Sequence, residues 1–231
     1  MFKAKNISLG LKLLIFLTAS AGLFLNLLFA RLDGYSSPSS RLLYFTNQSN
    51  IWVAAVALMM VIFEIKERKS GKKFNTGTVF GIKLAATVSI TLTCVFYCAF
   101  LAPRAGADYR PWTAGSILVH AIVPGLAIID FFLEPTAHRF KKRHNLLSLV
   151  PPFYYLVFSA VLYFIGVDFG RGDNFPYFFL NFGSPAGFFG FSDIFPYKMG
   201  SFYWIVILTI AVYSTSVLYT FVYNKIHEKK E

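Results

Sequence analysis

The chain has 231 residues, 56% of them hydrophobic and only 14% charged, with a mean hydropathy of +0.56. A soluble domain covers itself with about 25% charged residues, so this chain lacks the polar material to face water on all sides, and its 19% aromatic content excludes both disorder and a nucleic-acid-binding module. The net charge of +11 then reads as a membrane-orientation signal and not as a nucleic-acid footprint.

A helix needs about 20 mostly apolar residues to cross a bilayer. Six such runs occur in chain order, at residues 11–30, 44–63, 79–101, 114–133, 149–167 and 202–223. The first follows Lys3 and Lys5. It is longer than a signal-peptide core and meets no small-x-small cleavage site before Arg31, so it is expected to be a retained span. The predicted fold class is an all-α integral membrane protein, one six-helix transmembrane domain over 1–231. Basic residues alternate between the loops. Fifteen fall in the N-terminal segment (Lys3, Lys5, Lys12), the second and fourth loops and the tail. Six lie on the other side: Arg31, Arg41, Arg104, Arg110, Arg171 and Lys198. The positive-inside rule therefore predicts cytoplasmic N- and C-termini in a plasma membrane. Lys83, about one turn inside the third run, is expected to snorkel to the basic side. His138, His144 and His227 stand in basic segments and are expected to be solvated.

Four of the five loops are short. The exception, 168–201, holds nine Phe, six Gly and the twin tripeptides Phe175-Pro176-Tyr177 and Phe195-Pro196-Tyr197. Gly and Pro forbid a long helix there, and so many aromatic rings favour the membrane interface over water. Two arrangements satisfy this: rings packed on the rim of the bundle, or a lid over a lipid-facing cavity.

Polar groups at membrane depth are costly unless they are partnered, so they locate candidate function. The second run opens Thr46-Asn47-Gln48-Ser49-Asn50, with Thr46, Ser49 and Asn50 on one helical face. His120 is the one intramembrane histidine, and Pro124 lies four residues on, where it removes the helical donor to the His120 carbonyl. Thr46 and His120 fall in the outer half of their spans, within about one helical turn in depth. A hydroxyl and an imidazole at that spacing can act as nucleophile and base. Asp130 is ten residues from His120, about 15 Å along the axis, too far to orient the imidazole. Gln48 and Asn50 are the candidate amide donors to an oxyanion. Thr87, Thr91, Cys94 and Cys98 form a stripe on the third run, which reads as helix packing. A metal site from Cys94, Cys98 and His120 lacks the usual ligand count. No cofactor and no metal are expected.

The segment Tyr44-Phe45-Thr46-Asn47-Gln48-Ser49-Asn50, together with His120-Ala121-Ile122-Val123-Pro124 and Asp130, resembles a family of six-span membrane proteins. It includes uncharacterised bacterial members and, more distantly, the eukaryotic androgen-induced and androgen-dependent membrane proteins, which are Thr–His hydrolases of fatty acid esters of hydroxy fatty acids. The Asn-Gln-Ser-Asn run and the Phe-Pro-Tyr triplets look like the bacterial branch. The resemblance implies Thr46 as nucleophile, His120 as base, and membrane lipid as substrate and partner; the composition already argues against nucleic acid as a partner. Two other classes fit the same polar cluster: a non-catalytic transporter or lipid-binding protein, and a structural subunit in which the cluster only locks helices together.

Overall fold

The computed structural model describes residues 2–74, 76–104, 111–134 and 138–228. Arg110, Lys229 and Lys230 of the orientation count lie outside the described residues, as do the side chains of Lys3, Lys5 and Arg104. The fold is all-α. Among the described residues six helices are long and apolar enough to span a membrane: α1 (Phe2–Leu28), α2 (Phe45–Ser70), α3 (Gly77–Leu101), α4 (Ala114–Phe132), α5 (Lys142–Phe164) and α6 (Ser201–His227).

Several helices outrun their apolar stretches, for local reasons. In α2 the Glu64–Arg68 pair, four residues apart and 2.7 Å between charges, supports the helix past its greasy run. Gly71 then ends it in the left-handed region at φ 69°, its amide bonded to the Glu67 carbonyl. α5 starts seven residues before the predicted 149, because Lys142–Leu147 already winds as helix before a break at 148–149.

Half of the apolar window in α3 and in α4 is buried, against 17% and 22% in α5 and α6. Spans three and four are thus the centre of the bundle, and five and six present most of their surface to lipid. α1 lies close on α4: a Cβ at Gly22 would stand 2.8 Å from Val119 Cγ1, so only glycine permits this approach.

Three apolar layers stack along the bundle. At the end bearing the termini, Met60, Leu84, Phe131, Val212 and Tyr223 pack together. The waist is built from Ala19, Ala54, Ala57, Ala86 and Ala127 with Ile15, Ile90 and Val123. Small side chains let four helices meet there with little intervening space. At the loop end, Phe45 and Tyr155 pack with Phe179 and Leu180 of the long loop.

Below the waist lies a buried network of four charges. Lys83 reaches Asp130 at 2.7 Å and Glu134 at 2.8 Å, while Lys12 reaches the same two carboxylates at 3.1 and 3.0 Å. This corrects the expectation for Lys83, which does not snorkel: two acids on α4 and the residues just after it neutralise it in place. Lys12 likewise is 1% exposed and is no loop residue. The histidine expectation also fails in part. His144 and His227 are buried, and His227 packs on Tyr223 with its ring nitrogens against the Tyr223 and Glu134 carbonyls.

Candidate active site

Thr46 is the second residue of α2. The chain reaches it through a 3-10 turn at Pro38–Leu43, capped by the Ser37 hydroxyl, and then through an extended Tyr44. The Tyr44 side chain caps nothing, so the first amides of α2 look outward from the helix end. The Thr46 amide donates to the Tyr177 hydroxyl at 3.5 Å. Its carbonyl accepts from Ser49 Oγ at 2.9 Å and from Asn50 Nδ2 at 2.8 Å.

His120 sits in the middle of a π turn, Leu118–Ile122, within α4. The wide turn shifts the backbone register by one residue, so the Val123 amide bonds to the Leu118 carbonyl. Pro124 has no amide to offer. The carbonyl left vacant is therefore that of Val119, one residue before the His120 carbonyl expected from α-helical geometry. Asn50 Nδ2 fills the vacancy at 3.1 Å. One amide group thus ties the turn that carries Thr46 to the turn that carries His120.

The imidazole is oriented by a one-way chain of hydrogen bonds. Nδ1 lies 2.9 Å from the Ser116 carbonyl and 3.0 Å from Ser116 Oγ. A carbonyl only accepts, so Nδ1 carries the proton and Nε2 keeps its lone pair. Ser116 Oγ donates onward to the Tyr97 hydroxyl at 2.7 Å, which donates to the Pro111 carbonyl. The Tyr97 ring stacks on the imidazole at 3.4 Å between centroids. Tyr97 opens a second π turn, Tyr97–Leu101, in α3. Single π turns inside α-helices occur frequently at functional sites, and here each of the two stacked rings belongs to one.

Thr46 and His120 form no direct hydrogen bond, but they line the same cavity, of about 340 Å³. This cavity is polar, with Arg41, Tyr44, Asn47 and Arg171 also in its wall. A second cavity of about 340 Å³ is almost wholly apolar and runs between α3, α5 and α6. Phe153 on its rim is 66% exposed, so it opens toward the lipid-facing surface. The two cavities share three residues: Thr46, Leu101 and Tyr177.

The loop end is held together by charge and aromatic contact. Arg41 pairs with Asp33, and the guanidinium carbons of Arg41 and Arg171 lie 4.2 and 4.4 Å from the Tyr35 ring centroid. Burial pushes the Tyr177 phenol up to about 12, with the side chain and amide of Thr46 pulling the other way. Tyr177 is therefore a neutral hydroxyl at physiological pH.

The remaining candidates lie elsewhere. Gln48 Nε2 is committed to the Leu42 carbonyl at 3.1 Å, and Gln48 is absent from both cavity walls. Asn50 has spent its amide on two carbonyls and is likewise outside both walls. The stripe on α3 turns outward along its length, from a buried Thr87 to an exposed Cys98. Among the described residues no three His, Cys, Asp or Glu side chains gather closely enough to hold a metal ion. Asp130 belongs to the buried charge network and not to this site.

Sequence reasoning missed Asn26, Tyr97 and Ser116. Asn26 lines the polar cavity and donates to Asn47 Oδ1 at 3.2 Å. It was detectable as a lone amide in an apolar run, and Ser116 as a hydroxyl four residues before His120. Tyr97 carried no signal, since tyrosine is common in this chain. No protein-family model, no curated protein sequence and no solved structure matches this chain.

Proposed function

We propose that this protein is a membrane-embedded hydrolase of lipid esters that works through Thr46 and His120. The observation that carries the proposal is the position of Thr46 at the seam between an apolar and a polar cavity, with His120 in the wall of the polar one. An amphiphile whose acyl chain fills the apolar cavity and whose polar part fills the other brings the linking ester to the Thr46 hydroxyl. Thr46 Oγ1 attacks the carbonyl carbon and its proton passes to His120 Nε2. The tetrahedral intermediate then collapses, and His120 returns the proton to the departing alcohol. Water from the polar cavity hydrolyses the acyl-threonine by the same steps. Since no hydrogen bond joins the two side chains, the transfer needs a bridging water or a closure around substrate, as catalytic hydrogen bonds often tighten only in the complex.

In this proposal the Ser116 carbonyl does the work of the acid in a catalytic triad, fixing the tautomer and the orientation of the ring. Asn50 acts as a positioning residue and not as an oxyanion donor. The resemblance of the Thr46 and His120 segments to the Thr–His hydrolase family supports the same chemistry. With the basic loops in the cytoplasm, the cavities open to the extracytoplasmic leaflet of a bacterial plasma membrane.

The test is labelling of the purified protein with a fluorophosphonate probe. Adduct on wild type, and none on Thr46→Ala or His120→Ala, is the expected result. Labelling that persists in Thr46→Ala rules out this nucleophile. The missing Thr46–His120 bond favours one second reading, a protein that binds an amphiphile without cleaving it. That reading predicts no adduct on wild type and saturable binding of a fluorescent fatty ester.

A further inference from the structure

The two amides that the sequence offers as oxyanion donors, those of Gln48 and Asn50, are committed to backbone carbonyls. We propose that Tyr177, on the long loop before α6, donates the hydrogen bond that receives the negative charge developing on the ester carbonyl oxygen as Thr46 attacks. The inference rests on the hydrolase reading and adds a catalytic residue to it.

Four observations support it. Tyr177 and Thr46 are the two polar residues common to both cavities, Leu101 being the third shared residue. An acyl carbonyl poised at Thr46 therefore has the phenol beside it. The Thr46 amide donates to the phenol oxygen, and an accepted hydrogen bond polarises the O–H and strengthens it as a donor. The ring is held on several sides: stacked on Phe179 at 5.1 Å between centroids, edge-on to Tyr44 at 5.8 Å, and tilted against Tyr155 at 6.2 Å. The backbone is pinned as well, since the Tyr177 carbonyl accepts from the Leu180 amide at 2.9 Å, in a 3-10 turn whose Phe179 and Leu180 are buried. A donor fixed before the reaction stabilises developing charge without reorganising. Burial keeps the phenol protonated, so the proton is present to be shared.

Tyr177 itself transfers no atom. Thr46 Oγ1 forms a bond to the carbonyl carbon as its proton passes to His120 Nε2, the C=O π pair moves onto oxygen, and Tyr177 O–H hydrogen-bonds to that oxygen. The pair then returns to re-form C=O as the bond to the alcohol oxygen breaks, and His120 gives its proton to that alcohol oxygen. The second Phe-Pro-Tyr triplet supplies an internal control, since Tyr197 lines neither cavity.

The experiment uses the full chain in lipid nanodiscs with p-nitrophenyl octanoate as the probe ester. Tyr177→Phe keeps the stacked ring and is expected to lower kcat by about 10²–10³-fold while KM stays within roughly twofold. Tyr197→Phe is expected to leave both unchanged. A Tyr177→Phe variant with wild-type kcat, alongside an inactive Thr46→Ala, overturns the role of Tyr177 and leaves the hydrolase reading standing. Absence of any Thr46-dependent turnover in wild type overturns both. To separate chemistry from packing, 3,5-difluorotyrosine at position 177 lowers the phenol pKa with the ring retained. The phenol then ionises at lower pH, so the alkaline limb of kcat moves down. A limb that stays in place refutes the donor role.

Discussion

At the scale of single residues, the site depends on which backbone carbonyl each amide side chain meets. Asn50 shows this most clearly. Its Nδ2 serves the Thr46 and Val119 carbonyls together, while its Oδ1 is buried without a hydrogen-bond partner among the described residues. Asn50→Ala leaves the buried Val119 carbonyl unpaired and is expected to cost about 1–3 kcal/mol, read as a lower thermal midpoint of the detergent-solubilised protein, with fluorophosphonate labelling slowed. Gln48→Ala removes one exposed bond to the Leu42 carbonyl and is expected to leave labelling at the wild-type rate. Equal labelling defects in the two variants would sink the distinction between a staple and a bystander. The sequence placed both amides in one polar run and so could not rank them. Their difference lies in which carbonyl each one meets, and the Val119 vacancy exists only because the backbone register changes on another helix.

At the scale of elements, the π turn in α4 and Pro124 act together. Each removes a donor from neighbouring carbonyls, and between them they create the acceptor that Asn50 occupies. Pro124→Ala restores an amide within reach of the Val119 and His120 carbonyls, and a plain α-helical register becomes available. The variant is expected to be at least as stable as wild type in thermal unfolding, while fluorophosphonate labelling falls by roughly tenfold or more as the imidazole turns away from Thr46. Unchanged labelling would show that the turn does not set the histidine's aim. The proline and the nearby histidine were legible as a local disturbance of the helix, because a missing amide can be read directly from residue type. The form of the disturbance was not, since a kink and a π turn satisfy the same missing donor. The orienting carbonyl of Ser116 was also beyond reach, because every residue has a carbonyl and only geometry says which one the imidazole meets. The six spans were legible almost to their ends, since hydropathy over about 20 residues depends on composition alone. Helix ends were misjudged where a local device, such as Glu64–Arg68 in α2, outlasts the apolar run.

At the scale of the whole molecule, the bundle separates two polar regions by an apolar waist. Toward the termini, Lys12, Lys83, Asp130 and Glu134 form a neutral set that binds α1, α3 and the end of α4. Removing one member leaves an uncompensated charge in a dry place, so Lys83→Met is expected to destabilise the protein by about 3–5 kcal/mol. Lys83→Met combined with Asp130→Leu removes a charge of each sign and is expected to recover a large part of that loss. A double variant as unstable as the sum of the two singles, in a thermal-unfolding cycle, would show that the charges do not act as one unit. Sequence alone placed Lys83 and Asp130 inside spans but left each without a partner, because pairing depends on which helices are neighbours. The waist itself has a consequence of another kind. Its alanines leave a void of about 20 Å³ beside Lys83 and Asp130, room for about one water. Water in that void would have Lys83 and Asp130 beside it, so it would belong to the charged set toward the termini and not to the cavity that Thr46 and His120 line.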